Sequence, residues 1–391
     1  MGIPTASPRA VPTWFGTAGS FWALCALGMV ASSIGPSLPL LAQGTGVTLG
    51  AVGIVFAAYR GGYVLGSLAG GAGLDRLPGN RMVAASLLVM AGAMVMVPRV
   101  ASLPLLVVVY LVVGLGGGAL EVGGNTLILW RYRENAGPWM NALHFAFGIG
   151  AMLMPAMVGL AVRTTGTLNP AFLAGPLIML PGLLLLVPAA DPSRPQQVHE
   201  GSGADDRVAV VLVAVFLLLY IGAEAGFGGW IYSWALRVHG VDPAGAAALT
   251  SLFWGALMTG RLLAIPVSRR VAPQVILVVS ALVGAANLAL LSSPVGSSSA
   301  AVLWISTAGS GLAMAPVFPS AMAWAGRHLH ITGKRSSWFF IGAGVGGMSI
   351  PWALGHVMDR VGDGALMPSI LGVQLLMGGV LAALVRRNRH G

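Results

Sequence analysis

Two glutamates lie deep inside long apolar stretches of the sequence, where an ionisable side chain is costly. Glu121 occurs in GLGGGALEVGGNTLILW, and Glu224 occurs in LYIGAEAGFGGWIYSWAL. An acid in such a setting marks a functional site by default, and loss of water disfavours its charged form. A carboxyl group of this kind can take up a proton on one side of a barrier and release it on the other. We therefore predict that both glutamates couple proton movement to another process.

Each glutamate also has a purely structural interpretation, in which it only joins helices. Its partner would then be a hydrogen-bond donor on another helix, or one of the two arginines that lie inside apolar runs, Arg60 and Arg261. Arg261 falls near the end of its run, so its guanidinium can extend to the membrane surface. Arg60 is deeper, and it is equally consistent with a gate, a substrate contact or an ion pair.

Polar side chains near the first glutamate are candidates for binding a solute. Asn125 follows Glu121 by four residues, so the two side chains share one helix face. Asn141 and His144 lie in the next apolar run, WMNALHFAFGIGAMLMP. His144 titrates near neutrality, so it can relay protons or hydrogen-bond Glu121, although a structural role is as common.

Aromatic and glycine residues surround the second glutamate. Trp230 and Trp254 can stack on the apolar face of a sugar ring, and anchoring at the membrane interface is the other common role of tryptophan. Gly226, Gly228 and Gly229 weaken the helix that carries the glutamate. We expect this cluster to open a discontinuous stretch at mid-depth, as in many transporter binding sites.

A short charged turn follows the second apolar run, with the sequence GAGLDRLPGNR. Asp75 can accept hydrogen bonds from a helix N-terminus and from arginine, and Arg76 and Arg81 lie beside it. We predict that these charges, together with Arg261, form a gating latch on one face of the molecule. The alternative is an ordinary solvated loop.

The composition requires that these residues be positioned within a membrane. Of 391 residues, 56% are hydrophobic and 8% are charged, and the mean hydropathy is +0.84. These charges are too few to cover the surface of a soluble globule. Most of the outer surface therefore faces lipid. The basic residues are scattered, which argues against nucleic-acid binding, and the single Cys25 excludes a disulfide framework. We find no nucleophile with its base and no metal-ligand cluster, so we expect neither an enzyme nor a bound cofactor.

The apolar runs predict an all-α membrane protein with twelve transmembrane helices in two pseudo-symmetric six-helix bundles. The polar segment DPSRPQQVHEGSGADDR divides them, giving bundles at 1–190 and 208–391 joined by a cytoplasmic linker at 191–207. Each run is close to the length that a bilayer requires. The predicted spans are 14–35, 49–70, 82–98, 103–130, 138–161, 171–189, 208–236, 245–268, 273–292, 299–325, 336–358 and 364–385.

The distribution of lysine and arginine predicts the orientation. Fifteen of the 21 basic residues fall in the termini and loops that share the linker's side, four fall on the other side, and two lie inside spans. Cytoplasmic loops are enriched in these residues. We therefore expect a multi-pass protein of a bacterial inner (plasma) membrane, with both termini in the cytoplasm.

Several of these segments together resemble one branch of the major facilitator superfamily, the fucose permease-like sugar:proton symporters with their sodium-dependent glucose transporter relatives. The resemblance rests on GALEVGGNTL, NALHFAFGIGAMLMP, YIGAEAGFGGW, GSGLAMAPVFPSAMAW and GAGVGGMSIPWALG, which occur in the family's order over most of the chain. The charged turn is similar to the superfamily's signature between its second and third helices, although Pro78 is an additional residue and Asn80 replaces a base.

The resemblance implies a carrier in which spans one, four, seven and ten line a central cavity between two rocking bundles. It implies proton coupling for Glu121 and substrate contact for Asn125, and Glu224 and Trp230 match its seventh-span pattern. Fucose permease has an aspartate in its first span, where this chain has no acid. A coupling mechanism that needs two carboxylates would therefore use Glu121 and Glu224.

We therefore expect a secondary active transporter that moves a sugar or glycoside with protons. Sodium is ranked lower because few hydroxyls accompany the two acids. The expected partners are a small-molecule substrate, protons and membrane lipid, and the chain is expected to act as a monomer. The alternative function is a proton-antiport exporter of drugs, lipids or amphiphilic metabolites, since the 18 methionines suit a pliable apolar pocket. A receptor or scaffold that moves nothing is disfavoured by the lack of a sizeable extramembrane domain.

Overall fold

The computed structural model describes residues 14–74, 76–132, 136–193, 207–328 and 333–390, and this part of the chain is almost entirely helical. We number the long helices α1 to α12. Two of them consist of two segments: α2 is interrupted at Gly53, and α10 is interrupted at Ala315 and Pro316. The helices are α1 Trp14–Thr45, α2 Leu49–Val52 and Ile54–Leu74, α3 Gly79–Met96, α4 Leu103–Tyr132, α5 Ala136–Thr165, α6 Asn169–Leu186, α7 Arg207–His239, α8 Pro243–Ser268, α9 Pro273–Leu291, α10 Ala300–Met314 and Val317–His328, α11 Gly333–Val361, and α12 Leu366–His390.

These helices confirm the predicted all-α membrane architecture. Within the described residues, 11 helices are long and apolar enough to cross a bilayer. The remaining predicted span corresponds to α11, which has 29 residues and is therefore also long enough, but its glycine- and serine-rich sequence is less apolar. The main boundary difference is in α1, which continues through Pro36 and Pro39 to Thr45.

The predicted break after Glu224 is wrong, because α7 runs without interruption from Arg207 to His239. The glycines there instead admit side chains from neighbouring helices. A Cβ at Gly228 would lie 2.8 Å from the ring of Trp254, and one at Gly229 would lie 2.6 Å from the ring of Phe56. Packing of this kind stabilises helix association where burial of apolar surface provides no driving force.

The two halves of the chain pack their helices in the same pattern. The pairs α1 with α5 and α2 with α4 in the first half correspond to α7 with α11 and α8 with α10 in the second. The corresponding contacts use glycine in the same way: a Cβ at Gly28 would overlap the backbone oxygen of Phe147, and one at Gly346 would overlap that of Leu218. The bundles meet through α5 with α8 and through α2 with α11, which are again equivalent pairs.

The tight contacts between the bundles lie toward one membrane face. We call the face that carries the α6–α7 connection the linker face, and the other the opposing face. Near the opposing face, Asp359 of α11 accepts hydrogen bonds from the Thr48 hydroxyl at 2.5 Å and from the Gly50 backbone N–H at 2.9 Å. The contacts continue inward to Gly344 against Val64, which lie at mid-depth.

The linker-face half of the interface is different. Among the glycine contacts described between α5 and α8, that of Gly148 with Met258 lies nearest the linker face. On the linker side of it, His144 and Arg261 keep part of their surface accessible, and so does Glu121 of α4. We interpret this arrangement as a cleft between the bundles that is closed at the opposing face and opens toward the linker face.

Candidate functional site

The first predicted glutamate lies on the wall of this cleft, held by a residue of another helix. Glu121 of α4 is partly exposed and accepts a hydrogen bond from the Tyr63 hydroxyl of α2 at 2.7 Å. The contact depends on the close approach of α2 and α4, since a Cβ at Gly118 would overlap the backbone oxygen of Tyr63. Among the described residues, no arginine or lysine lies within ion-pair distance of Glu121.

Two predicted polar neighbours of Glu121 are indeed close to it. The Asn125 side-chain amide donates to the Glu121 backbone oxygen at 2.8 Å, and its own Oδ1 is buried without a hydrogen-bond partner in the described part of the chain. His144 of α5 lies within electrostatic range of Glu121 and also of Arg261 of α8. His144 therefore connects the acid of one bundle with a base of the other across the cleft.

The second glutamate has a different environment, in which both of its described partners belong to its own bundle. Glu224 is buried, and the hydroxyl of Tyr220, one turn earlier in α7, donates a hydrogen bond to it. Arg261 of α8 lies 3.8 Å from the same carboxylate oxygen, with 29% of its side chain exposed. The Tyr220 hydroxyl also lies 3.1 Å from the Met314 backbone oxygen, at the interruption of α10. Arg261 therefore forms an ion pair within its bundle, instead of only extending its guanidinium toward the membrane surface.

Arg60 lies at the boundary between the bundles. Its guanidinium carbon is 5.9 Å from the ring centroids of both Tyr59 and Tyr63. This distance is within the range of a cation–π contact. On its other side, Arg60 lies against Gly347 of α11. It forms no ion pair within 4 Å among the described residues.

The two predicted tryptophans occupy different positions. Trp254 is 8% exposed, packs against Gly228, and has a buried Nε1 without an acceptor in the described residues. Trp230 is fully buried near the opposing face, where its Nε1 donates to the Pro351 backbone oxygen at 2.8 Å and its ring packs 5.7 Å from that of Phe56. Trp230 thus lies in the closed part of the bundle interface, away from the open cleft.

The predicted latch lies partly outside the described residues. Asp75 is one of the residues not described, and so is the side chain of Asn141. Arg76 and Arg81 are exposed at the linker face. The backbone N–H groups that begin α3 are bound by Asp191, which accepts from Gly79 at 2.9 Å and from Asn80 at 2.7 Å.

Sequence reasoning missed the two tyrosines that bind the glutamates. Tyr220 precedes Glu224 by four residues, so the i, i+4 rule was a usable signal. Tyr63 is 58 residues from Glu121 in the chain, and no local pattern links them. The α3 cap by Asp191 was missed for the same reason, since a residue counted as the start of the linker binds the first bundle.

A comparison with known protein families decides the classification. Residues 20–351 match the model of the Major Facilitator Superfamily. The chain belongs to this superfamily. It is therefore a multi-pass membrane transporter and not an enzyme, as the sequence predicted.

Relatives and solved structures agree with this assignment. The transporter is 30% identical over 362 residues to the sodium-dependent glucose transporter 1 of Xenopus laevis, covering 84% of this chain and 73% of the relative. It is 28% identical over 383 residues to the sodium-dependent glucose transporter 1A of Mus musculus, covering 87% and 89%. The crystal structure of a variant of the nucleoside transporter NupG superimposes with a TM-score of 0.77 at 16% identity, covering 95% of this chain and 99% of that one.

Proposed function

We propose that this transporter moves a hexose or a glycoside by alternating access, driven by protons that bind Glu121. The observation that carries the proposal is the position of Glu121, partly exposed at mid-depth of the cleft with one neutral partner, Tyr63. A proton can neutralise this carboxylate without leaving a neighbouring cation unpaired. Neutral Glu121 lowers the electrostatic cost of closing the cleft around the solute.

Glu224 serves in this proposal as the second carboxylate. Its ion pair with Arg261 must loosen before it can accept a proton, because protonation leaves the guanidinium partly buried without its counter-charge. We therefore assign the first protonation to Glu121. His144, which interacts electrostatically with both Glu121 and Arg261, lies between the two sites.

A sugar substrate is supported by side-chain donors and acceptors that have no hydrogen-bond partner among the described residues. Trp254 offers its indole Nε1 as a donor, and Asn125 offers its amide oxygen as an acceptor. Sugar rings present hydroxyl groups that both accept and donate hydrogen bonds, so they match such a combination. The names of the glucose-transporting relatives point to the same substrate class.

Sodium is the alternative coupling ion, and the relatives' names favour it. Hard cations bind through several oxygen ligands. Here Arg261 lies 3.8 Å from Glu224, and Arg60 lies against the tyrosine that binds Glu121. A nearby positive charge disfavours sodium and proton binding alike. The argument for protons is that each acid has one tyrosine hydroxyl as its described oxygen neighbour, which is too few ligands for sodium.

The orientation and assembly state are part of the proposal. With both termini in the cytoplasm, the linker face is cytoplasmic and the cleft of this structure faces inward. The segments 1–190 and 208–391 then form the two rocking bundles, with 191–207 as their cytoplasmic linker. We place the transporter in a bacterial inner membrane as a monomer.

Reconstituted transporter in liposomes tests the proposal. Uptake of labelled glucose and a panel of hexoses and glycosides is measured under a proton gradient, a sodium gradient, or neither. We expect the proton gradient alone to drive accumulation. In Glu121→Gln, we expect sugar counterflow to persist while accumulation disappears. Asp242→Asn is the matched control, because Asp242 caps α8 near the opposing face and asparagine also caps helices.

Two results would contradict parts of the proposal. Accumulation driven by sodium alone makes proton coupling wrong and leaves the sugar assignment intact. Transport of an amphiphile with no movement of any sugar replaces the symporter with the proton-antiport exporter.

A further inference from the structure

Arg60 is a positive charge at mid-depth with no acidic side chain within 4 Å among the described residues. Among the described residues its contacts are the rings of Tyr59 and Tyr63, each 5.9 Å from its guanidinium carbon, and the backbone of Gly347. A charged side chain at this depth is costly, and such residues usually pair with an opposite charge. The arrangement is consistent with a second state of the transporter in which Arg60 has an acidic partner.

The support of Arg60 comes from the other bundle. A Cβ at Gly347 of α11 would lie 3.0 Å from the Arg60 Nε and 3.4 Å from its Cδ. The arginine side chain therefore runs over bare backbone of α11, where a larger residue would displace it. When the bundles rock, α11 moves relative to α2, and this support changes with it.

Tyr63 separates Arg60 from Glu121. Its ring faces the guanidinium, and its hydroxyl donates to the Glu121 carboxylate at 2.7 Å. Arg60 therefore contacts the ring of Tyr63, and Glu121 contacts its hydroxyl, so one tyrosine links the two charged residues. A shift of the guanidinium along the tyrosine, from its ring toward its hydroxyl, brings it toward the carboxylate that Tyr63 binds.

We propose that Arg60 is a positioning residue that transmits the movement of α11 to Glu121 and so controls release of its proton. As α11 moves, Arg60 leaves the Tyr63 ring and pairs with Glu121. The O–H bond of the Glu121 carboxyl group breaks, its proton passes to water in the cleft, and the guanidinium balances the carboxylate that remains. This inference rests on the proposed function, because it assumes that Glu121 carries the coupled proton.

Other charged or titratable groups act on Glu121 from each neighbouring helix. Tyr59 and Tyr63 belong to α2, and His144 of α5 faces it from its own bundle. Arg261 acts through His144 from α8. Of the two arginines, only Arg60 is supported by a glycine of α11, so substitution of that glycine perturbs Arg60 selectively.

Paired substitutions in α11 test the inference. Gly347→Ala places its Cβ 3.0 Å from the Arg60 Nε and so displaces that side chain from α11, which in this proposal brings it closer to Glu121. Gly344→Ala, one turn earlier, places its Cβ 3.2 Å from Val64 and not against Arg60. The readout is proton-driven glucose uptake as a function of pH. We expect the midpoint in Gly347→Ala to move about one pH unit to lower pH, since a nearer cation favours the carboxylate. Gly344→Ala is expected to keep the wild-type midpoint.

Removal of the charge gives the opposite result. In Arg60→Gln we expect the midpoint to move about one unit to higher pH, with counterflow retained. Arg60→Lys keeps the charge, so it should restore a profile near that of wild type if the glutamine variant folds poorly. Equal shifts in Gly344→Ala and Gly347→Ala, or shifts of Arg60→Gln and Gly347→Ala in the same direction, overturn the inference alone. A flat wild-type profile overturns the proposed proton coupling and this inference with it.

Discussion

The two membrane-embedded glutamates of this transporter occupy unlike environments in bundles that pack alike. Glu224 has both of its partners within the second bundle: Tyr220 on its own helix and Arg261 on the next. Glu121 has one partner, Tyr63, on a separate helix. The guanidinium that contacts the same tyrosine, that of Arg60, lies against the Tyr63 ring and against Gly347 of the other bundle.

This comparison shows that a shared helix arrangement does not impose shared chemistry. The Glu224 site moves as a unit with its bundle, so rocking of the bundles need not change its partners. The Glu121 site includes a residue in contact with α11, so the same movement alters its electrostatic environment. Transport coupled through Glu121 therefore has a physical link to the conformational change, and the following predictions test this difference.

The largest expected effect is on the helix contact that creates the Glu121 site. Gly118→Ala places a methyl group where the Tyr63 backbone oxygen lies, so α2 and α4 must separate. Overpacking of this type costs about 1–3 kcal/mol or more when the obstacle is backbone. We expect a lower unfolding temperature in detergent and loss of proton-driven uptake.

A neutral glycine substitution provides the control. Gly378→Ala in α12 has nothing within 4 Å of the added Cβ, so its unfolding temperature and uptake should match wild type. Normal stability and uptake in Gly118→Ala would mean that the Glu121 site does not depend on this contact. The proposed difference between the Glu121 and Glu224 sites would then lose this support.

A smaller effect is expected from removing each tyrosine hydroxyl. Tyr63→Phe deprives Glu121 of its only described donor, and a hydrogen bond to a charged group is worth about 1.5–3 kcal/mol. Tyr220→Phe leaves Arg261 beside Glu224, so the loss of the tyrosine hydroxyl is compensated in part. We expect proton-driven uptake to fall roughly tenfold in Tyr63→Phe and less in Tyr220→Phe, a free-energy difference of about 1.4 kcal/mol per tenfold. A greater loss in Tyr220→Phe would reverse the assignment of the two acids.

The smallest effect concerns two aspartates of the opposing face, one of which bonds across the bundles. Asp359 binds Thr48 and Gly50 of the first bundle, whereas Asp363 pairs with Arg237 of its own bundle at 3.1 Å. Asp359→Asn should weaken closure of the opposing face by about 0.5–1.5 kcal/mol, a few-fold change in the open population. Asp363→Asn should leave that population unchanged.

Cysteine labelling measures this change. Ala42→Cys in a Cys25→Ser background places a thiol at a buried position of α1, on the helix face that carries Gly35, where α1 meets α7. A membrane-impermeant maleimide added at the opposing face should label it faster in Asp359→Asn than in wild type. Equal labelling in Asp359→Asn and Asp363→Asn would show that Asp359 does not restrain the opposing face.

Much of the fold was predictable because its signals are local in sequence. Twelve apolar runs and a polar midpoint predicted the helices, and the acids inside those runs identified Glu121 and Glu224. The break predicted after Glu224 was wrong because glycine lowers helix propensity, while side chains from other helices fill the space that glycine leaves. In the second bundle the described interruption is instead in α10, at Ala315 and Pro316, where Pro316 provides no backbone N–H.

The sequence by itself determined that this protein spans a membrane, since its charges are too few to cover a soluble surface and its apolar runs match the thickness of a bilayer. It also identified Glu121 and Glu224 as the acids that lie inside apolar runs, where an ionised side chain is costly. Only the tertiary structure decided that Tyr63 binds Glu121, that Arg60 lies over Gly347, and that the opposing face is closed. The preference of a segment for lipid depends on its own residues, whereas these contacts depend on how helices that are far apart in the sequence pack against each other.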